Sequence, residues 1–456
     1  MNLILISLDS LRADALGCYG NPRARTPFLD ALAQRGARFH NTIAQAPFTI
    51  PSHASMFTGL YPHHHRLREQ HGQKLASHVQ TLFTRLQAAG YRVASLMSAR
   101  PFGPEHGYDD LNWRGSVTLE NLAALVEEFR GKDFFIFIHY WDIHVPYRVH
   151  LAPRNWNEWQ SELALRLEDR LGIQFPSRWR DELLPPSGDK WLSRVFRVRD
   201  LMATGRPEAR AQVLAGYARS ATTADRFVGH VDYLLRRLGL DHRTLLAVTA
   251  DHGESFDEHG ELAENPENYF HGHHLYEYLL RVPLILCGPG IPPGTSRTAP
   301  VQSIDLAPTL YDYLGTPDPD SVAGTVPMDG VSLRGLIEEN RAPRDFTLSE
   351  VWRADHDCHQ VAYRTTRDKL IVSFDRARAA LFDLAQDPEE KHDQSAVNPG
   401  RVQELQAGLA QVWQPVADPR TGEGPSFGVT SQIPERGMSA QEEADVVARL
   451  TALGYI

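Results

Sequence analysis

Short apolar runs, each followed by polar residues, recur along the chain and alternate with stretches of helical periodicity. The runs are rich in β-branched and aromatic residues, which is the composition of buried strands. Because parallel strands need a crossover that is usually a helix, this alternation predicts a mostly parallel mixed sheet sandwiched by helices. We therefore predict an α/β fold with core strands over residues 3–8, 91–97, 134–139, 245–249 and 282–287.

Polar side chains follow three of these predicted strands. Asp9 comes directly after the first strand, a histidine-rich stretch over 139–144 ends the third, and Asp251 with His252 follows the fourth. In open α/β sheets, ligands bind at the carboxyl ends of the strands, so we expect these groups to share one edge. Carboxylate and imidazole groups there would suit a divalent cation, although each aspartate taken alone fits a helix N-cap equally well.

The composition changes twice along the chain and predicts two domains. Residues 1–340 are assigned to a catalytic domain, in which 148–211 is a Trp-, Arg- and Pro-rich insertion or lid. Residues 341–456 are assigned to a smaller C-terminal α+β subdomain, with short strands over 360–363 and 369–374 and a helix over 400–412. We predict an extended tail that begins at Pro415 and ends in a short helix. This tail is a candidate contact in a homo-oligomer.

Charge and cysteine content exclude several functional classes. Lys and Arg number 47 against 57 Asp and Glu, a formal net charge of −10, which argues against a nucleic-acid partner. No apolar stretch approaches the ~20 residues that span a bilayer, so we expect no membrane anchor. Three scattered cysteines are too few for a disulfide framework, and we expect a reducing, cytoplasmic location.

One segment carries a specific resemblance. Residues 46–62 read Ala-Pro-Phe-Thr-Ile-Pro-Ser-His-Ala-Ser-Met-Phe-Thr-Gly-Leu-Tyr-Pro. They resemble the nucleophile segment of the sulfatase family in the alkaline phosphatase superfamily, whose pattern is Cys/Ser-x-Pro-Ser-Arg, a helix and Thr-Gly-x-Tyr-Pro. Thr49 falls on the nucleophile and His53 on the arginine. Further matches at 249–254, 303–309 and 449–455 extend the resemblance over nearly the whole chain.

The resemblance implies an alkaline phosphatase/sulfatase-like fold and assigns roles to individual residues. His144 falls on the family histidine that contacts the ester or leaving group, and His271 is the candidate general acid, with His273 as its substitute. The residues expected to hold the metal are Asp9, Thr49, Asp251 and His252. The expected catalytic residues are Thr49, His53, His144 and His271, and the expected substrate-binding residues are Gln70, Arg100 and His273.

The threonine at position 49 departs from the family pattern and decides our prediction of the substrate. Family members oxidise the Cys or Ser to formylglycine, whose hydrate attacks sulfur, whereas threonine has no equivalent route to that aldehyde. In phosphoryl-transfer branches of the superfamily a metal-bound Thr or Ser attacks phosphorus directly. We therefore predict hydrolysis of a phosphomonoester, phosphodiester or phosphonate monoester through a phospho-Thr49 intermediate.

Three alternatives to this activity remain open. The first is a sulfuric ester hydrolase, the second is a soluble phosphoethanolamine-type transferase, and the third is a family member without catalytic activity. In each catalytic case the expected partner is a small anionic ester.

The metal site also departs from the family pattern. Sulfatases usually have a second aspartate where this chain has Ser10, which lowers the negative charge of the site. We therefore favour zinc or manganese over calcium, bound as one or two ions.

Overall fold

The computed structural model describes residues 1–69, 73–98, 101–108, 110–147, 198, 202, 205–260, 270–316, 326–353, 358–374, 376 and 378–414. Within these ranges the chain forms a seven-stranded sheet and a four-stranded sheet. The predicted tail, its helix and most of the predicted insertion over 148–211 lie outside the described residues.

The large sheet confirms the predicted fold class. Its strands are β1 (Asn2–Leu8), β2 (Ala37–Ile43), β3 (Arg92–Met97), β4 (Phe134–Tyr140), β5 (Thr244–Thr249), β6 (Arg281–Cys287) and β7 (Thr295–Gln302). Their order across the sheet is β3-β4-β1-β5-β6-β2-β7. β6 runs antiparallel to both of its neighbours, and the other strand pairs are parallel.

Helices cover both faces of this sheet. They are α1 (Pro27–Arg35), α2 (Thr49–Thr58), α3 (Pro62–His65), α4 (Leu82–Ala88), α5 (Leu119–Glu128), α6 (Pro207–Arg237), α7 (Glu277–Leu280), α8 (Leu306–Leu314) and α9 (Arg334–Glu339). α1, α5 and α6 pack on one face, and α2, α4, α8 and α9 pack on the other. None of the helices in the described ranges is long and apolar enough to cross a bilayer.

The coverage of both faces explains why the central strands are apolar without interruption. In β1, Ile4 and Ile6 contribute to the core on one face and Leu3 and Leu5 to the core on the other. A strand buried on both sides has no solvated face that would tolerate alternating polar residues. The same continuous pattern made β1, β3, β4, β5 and β6 predictable from the sequence.

A second, antiparallel sheet lies towards the C-terminus. It consists of β8 (Phe346–Arg353), β9 (Cys358–Thr365), β10 (Asp368–Ser373) and β11 (Arg378–Asp383), in the order β11-β10-β9-β8. Helix α10 (Pro399–Val412) packs on one face through Leu405 and Leu409. The other face shares an apolar cluster with Phe48 and Leu275 from the larger part of the chain. This contact brings the small sheet next to the start of α2.

Candidate active site

The ends of β1 and β5 bring three predicted residues together. β1 pairs in parallel with β5, with Ser7 opposite Thr249, so Asp9 emerges beside Asp251 and His252. All three side chains are fully buried, and their candidate ligand atoms lie within 4.8 Å of one another. The sheet therefore builds a compact carboxylate and imidazole cluster at the edge that the sequence predicted.

Hydrogen bonds from the loops fix one oxygen of each carboxylate. Ser10 adopts a left-handed conformation (φ 60°), and its hydroxyl donates to Asp9 Oδ1 at 2.7 Å. The backbone N–H groups of Ser10 and His252 donate to Asp251 Oδ1 at 3.1 and 2.9 Å. The Oδ2 atoms of both aspartates are buried and face histidine nitrogens, His139 Nε2 at 3.1 Å from Asp9 and His252 Nε2 at 3.4 Å from Asp251. Each aspartate therefore turns its second oxygen towards the histidines of the cluster.

The electrostatics of the cluster favour a bound cation. Burial and the neighbouring Asp9 carboxylate raise the pKa of Asp251 to about 6. Burial also disfavours ionisation of Asp9, but its contact with His139 and the nearby histidines hold its pKa well below the usual range. The Nδ1–H of His252 donates to the carbonyl of Gly253 at 2.8 Å, which leaves the Nε2 lone pair for a metal. The donor set fits a divalent cation held by Asp9, Asp251 and His252.

Helix α2 presents Thr49 to this cluster. Thr49 is the first residue of the helix, is 4% exposed, and has its Oγ1 3.4 Å from His252 Nε2. Phe48 before it is extended, and Pro51 fits the first turn, where the N–H groups have no partner inside the helix. The positive end of the helix dipole therefore points at the cluster, beside the Thr49 hydroxyl.

His53 lies one turn further along α2 and supports its start. Its Nδ1 donates to the Thr49 carbonyl at 2.9 Å, and its Nε2 lies 2.9 Å from the Ser7 hydroxyl. Burial and the neighbouring His139 hold the pKa of His53 well below its ordinary value, so the ring is neutral. The catalytic role of His53 that the resemblance implied stays a prediction.

His144 and His271 approach the cluster from the two flanking loops. The ring of His144 stacks on Trp141 at 4.1 Å and meets His271 edge-on at 5.0 Å. The ring of His271 lies 4.4 Å from that of His252. The structure thus brings both histidines to the same site as Thr49.

Glu254 is a site residue to which the sequence gave no role. It is fully buried, and its Oε1 lies 2.8 Å from His271 Nδ1. Burial raises the pKa of Glu254 to about 8, and burial together with His252 holds that of His271 well below its ordinary value. The bond to Glu254 fixes the ring of His271 and leaves its Nε2 for a substrate. The motif 249–254 contained Glu254, but only the fold shows its partner.

Two further side chains near the site received no role from the sequence. His139, at the end of β4, is fully buried, with Nε2 3.1 Å from Asp9 Oδ2. Arg353, at the end of β8, has its guanidinium carbon 5.7 Å from the centroid of the Phe48 ring. The sequence placed His139 at the correct edge without a role, whereas nothing local singled out Arg353.

The predicted substrate-binding residues are only partly described. His273 is buried, and its carbonyl accepts a hydrogen bond from the Cys358 thiol at 3.3 Å. Gln70 and Arg100 lie outside the described residues. Substrate binding by all three stays a prediction.

The fold and the buried Asp/His cluster together define a class of ester hydrolase that uses a divalent metal. A sequence model of the sulfatase family matches residues 1–316, and one described as N-sulphoglucosamine sulphohydrolase, C-terminal, matches residues 266–416. The chain belongs to the sulfatase family.

Named relatives align over most of the chain. An arylsulfatase of Clostridium perfringens is 26% identical over 85% of this chain and 89% of its own length. An N-acetylglucosamine-6-O-sulfatase of Bacteroides thetaiotaomicron is 23% identical over 86% of this chain and 82% of its own. A solved structure in complex with its substrate D-glucosamine-2-N,6-O-disulfate superimposes with a TM-score of 0.67 at 21% identity, covering 90% of this chain and 97% of that one. At this identity the structural likeness shows the fold.

These relatives correct our prediction of the substrate. From Thr49 we expected a phosphate or phosphonate ester and a phospho-Thr49 intermediate, but the relatives are named as sulfatases. The prediction is wrong, and the findings favour the sulfuric ester that we held as the alternative. The prediction of a phosphorus ester was physically weak because sulfuryl and phosphoryl groups are both tetrahedral and anionic. A hydroxyl nucleophile therefore does not discriminate between them by itself.

Proposed function

We propose that this chain hydrolyses a sulfuric ester of a small molecule. The observation that carries the proposal is the buried cluster of Asp9, Asp251 and His252 facing Thr49 in a chain of the sulfatase family. The names of the relatives support the sulfuric ester as the class of substrate. The buried Thr49 hydroxyl beside this cluster supports direct attack at the sulfur of a bound ester.

The reaction on this chain's own residues has two displacement steps. In the first, Thr49 Oγ1 forms a bond to sulfur while the bond from sulfur to the alcohol oxygen breaks. His271 Nε2 hydrogen-bonds that leaving oxygen, which takes up the proton released from the Thr49 hydroxyl, so that the alcohol departs neutral. In the second step, water attacks the sulfur of the sulfo-threonine and the bond from sulfur to Oγ1 breaks. One proton of the water returns to Oγ1, and the product leaves as hydrogen sulfate, which loses its proton to solvent. A divalent cation held by Asp9, Asp251 and His252 supplies positive charge for the sulfuryl oxygens and lowers the pKa of the nucleophilic hydroxyl.

Burial of the cluster strengthens its electrostatic interactions with the reacting group. Asp9, Asp251 and His252 are inaccessible to solvent, so the charges around the reacting group are weakly screened. His144 lies next to His271 and can contact the remaining sulfuryl oxygens. The bond from His53 to the Thr49 carbonyl holds the first turn of α2 in place during attack.

The test measures how fast purified, metal-supplemented protein hydrolyses matched nitrophenyl esters. We expect release of nitrophenol from nitrophenyl sulfate to exceed that from nitrophenyl phosphate, a phosphodiester and a phosphonate monoester. Thr49→Val, which has nearly the same shape but no hydroxyl, serves as the blank. Faster turnover of any phosphorus ester by the wild type would overturn the proposal. Equal turnover of the sulfate by Thr49→Val would overturn the role of Thr49.

We further infer that the site prefers zinc or manganese to calcium. The support is the donor set, because Ser10 replaces a carboxylate and His252 contributes a nitrogen, which calcium disfavours. Elemental analysis of protein expressed in medium containing all three ions, with Asp251→Asn as control, measures the preference. Predominant calcium in the wild type would contradict it.

A further inference from the structure

The turn that follows β1 sets the orientation of both aspartates in the cluster. Ser10 is buried in this turn with φ 60°, a left-handed conformation that is costly for a residue other than glycine. Its hydroxyl donates to Asp9 Oδ1 at 2.7 Å, and its backbone N–H donates to Asp251 Oδ1 at 3.1 Å. A shift of Ser10 would therefore move the hydrogen bonds of both carboxylates together.

Tyr217 of α6 holds this turn through its hydroxyl. The hydroxyl donates to the carbonyl of Ser10 at 2.8 Å and accepts a hydrogen bond from the backbone N–H of Arg12, also at 2.8 Å. A buried carbonyl needs a donor, and the phenol supplies it while using its own lone pair for the second backbone group. One side chain thus bridges the two backbone groups that flank the turn on either side of Leu11.

Tyr217 lies on the face of α6 that packs into the core. This helix has 31 residues, and Val213, Ala221 and Ala224 share the face of Tyr217 because they lie at helical spacing from it. All four side chains are buried, and they belong to the apolar cluster on one face of the large sheet. A side chain on a helix anchored in this way can hold its hydroxyl at a defined place.

The ring of Tyr217 also contacts two other loops of the site. Its centroid lies 4.9 Å from that of Phe256 and 5.5 Å from that of Tyr147. Phe256 follows the segment that carries Asp251, and Tyr147 follows His144. The ring is therefore fixed by packing, and this contribution can be separated by mutation from that of the hydroxyl.

A fixed turn matters because the two carboxylates carry like charges. The ligand atoms of Asp9, Asp251 and His252 lie within 4.8 Å of one another, so the carboxylates repel when no cation is bound. Ligands that are held in place against this repulsion need no reordering when the cation arrives, which increases affinity. The hydrogen bonds from Ser10 hold them, and those of Tyr217 hold the turn.

We propose that Tyr217 is a positioning residue of the metal site, and that its hydroxyl increases the affinity for a divalent cation by fixing the turn at Ser10. Loss of a hydrogen bond behind a metal ligand typically weakens metal binding by about 10- to 100-fold. Tyr217 acts through Ser10, one hydrogen bond further from the ligands, so we expect the lower end of that range. The assignment rests on the metal site of the proposed function, but not on the class of ester.

The test titrates metal-stripped protein with Zn²⁺ and, separately, with Mn²⁺ in a calorimeter. Tyr217→Phe keeps the ring and loses the hydroxyl, and should raise the Kd of the more tightly bound ion by about tenfold. Tyr217→Leu should raise the Kd similarly, and should also lower the Tm of the metal-free protein further because ring packing is lost. Tyr233→Phe, further along the same helix, is the matched control and should bind the ion like the wild type.

A second readout separates positioning from a general effect on the fold. The rate of aryl sulfate hydrolysis is measured against the concentration of the same ion. Tyr217→Phe should need more of the ion for half-maximal rate, but should reach a kcat close to that of the wild type at saturation. A loss of rate that saturating metal does not restore would overturn the assignment.

The remaining outcomes distinguish this assignment from the proposed function. An unchanged Kd in Tyr217→Phe, or an equal rise in Tyr233→Phe, would overturn the role of Tyr217 alone. Binding of neither ion by the wild type, or binding that Asp251→Asn does not weaken, would overturn the metal site and this assignment with it. Weaker binding by Tyr217→Phe in a protein that hydrolyses no sulfate would support the assignment and overturn the proposed ester.

Discussion

Among the described residues, two pairs of neighbouring carboxylates differ in what neutralises their charge. We call Asp9 and Asp251 the strand-end pair, and Glu277 and Glu390 the subdomain pair. In the described part of the chain, the ion pairs of Asp9 and Asp251 are all with histidines. The subdomain pair instead shares the ammonium of Lys369, which lies 3.2 Å from Glu277 and 2.9 Å from Glu390.

The subdomain pair has further hydrogen-bond and ion-pair partners. Arg364 lies 2.9 Å from Glu277, and the Glu277 backbone N–H donates to Glu390 at 2.6 Å. These contacts join α7 to β9, β10 and the loop after β11, so the group ties the small sheet to the rest of the chain. Burial opposes ionisation of Glu277, but Arg364 and Lys369 outweigh it and hold its pKa at about 2.

A structural carboxylate differs from a functional one in the groups that neutralise its charge. Burying a charge is costly unless it is paired, and the subdomain pair is paired by lysine and arginine from the chain itself. The strand-end pair has only histidines beside its carboxylates, so no lysine or arginine of the described residues neutralises it. Such a site fits a bound cation, and the following variants test the distinction in order of expected effect.

Thr49→Val should give the largest loss. Removing the hydroxyl beside the strand-end pair should lower kcat/KM on an aryl sulfate by at least about 10³-fold, because the attacking atom is gone. The free energy of unfolding should change by no more than about 1–2 kcal/mol, because valine keeps the shape of threonine and the lost hydroxyl contact with His252 is long, at 3.4 Å. Thr49→Ser, which keeps the hydroxyl, is the matched control for the kinetic measurement. Comparable activity in the Val and Ser variants would be incompatible with a nucleophilic Thr49.

Asp251→Asn should abolish the stabilisation of the fold by bound metal. For the wild type we expect saturating metal to stabilise the fold by about 4 kcal/mol at a thousandfold excess over Kd. The variant should lose this gain, while its metal-free form should unfold no more easily than the metal-free wild type, because repulsion with Asp9 is relieved. Thermal unfolding with and without chelator measures both. A variant that still gains stability from metal would show that the cation lies elsewhere.

Lys369→Met should act on the fold without touching the site. It removes the ammonium that buried Glu390 shares with the partly exposed Glu277, which keeps Arg364, and should lower the free energy of unfolding by up to about 3 kcal/mol. Lys132→Met, at an exposed lysine, should change it by less than about 0.5 kcal/mol. Denaturant unfolding measures both variants. A small effect of Lys369→Met would mean that the subdomain pair does not depend on its lysine.

Glu390→Gln should give a smaller change that depends on pH. Burial and repulsion from Glu277 raise the pKa of Glu390 from 4.5 to about 7, despite Lys369. The folded state thus holds this proton more tightly than the unfolded state, so the wild type loses stability as pH rises from about 4.5 to 7. The variant should lack this loss, and its Tm relative to the wild type should rise across that range. A constant difference in Tm would contradict the raised pKa.

Local sequence patterns predicted the parts of the fold whose burial is visible along the chain. Continuous apolar runs identified five strands of the large sheet, and polar groups at their ends located the site. β2 and β7 were not identified, because β2 alternates with polar residues and β7 is an edge strand that contains Pro300. The position of β2 between β6 and β7 also depends on long-range pairing that no local pattern encodes.

The residues of the site likewise divide into those that local patterns predict and those that depend on long-range contacts. Asp9, Thr49, Asp251 and His252 follow from strand ends and one motif, whereas Glu254 joins the site only through its tertiary contact with His271. The class of ester was predicted incorrectly, because the identity of the nucleophile does not distinguish sulfur from phosphorus. Local chemistry located the site, but the tertiary fold was needed to show which residues contact one another there.

The position of β1 inside the sheet, between β4 and β5, also has a consequence for synthesis on the ribosome. The hydrogen bond from Ser10 to Asp251 spans 241 residues, and β1 pairs with β5 over Asn2–Ser7. After β1 has been synthesised, its edge that faces β5 must therefore stay unpaired until these intervening residues have emerged. We expect nascent chains to need chaperones during this interval, and metal uptake to mark a late stage of folding.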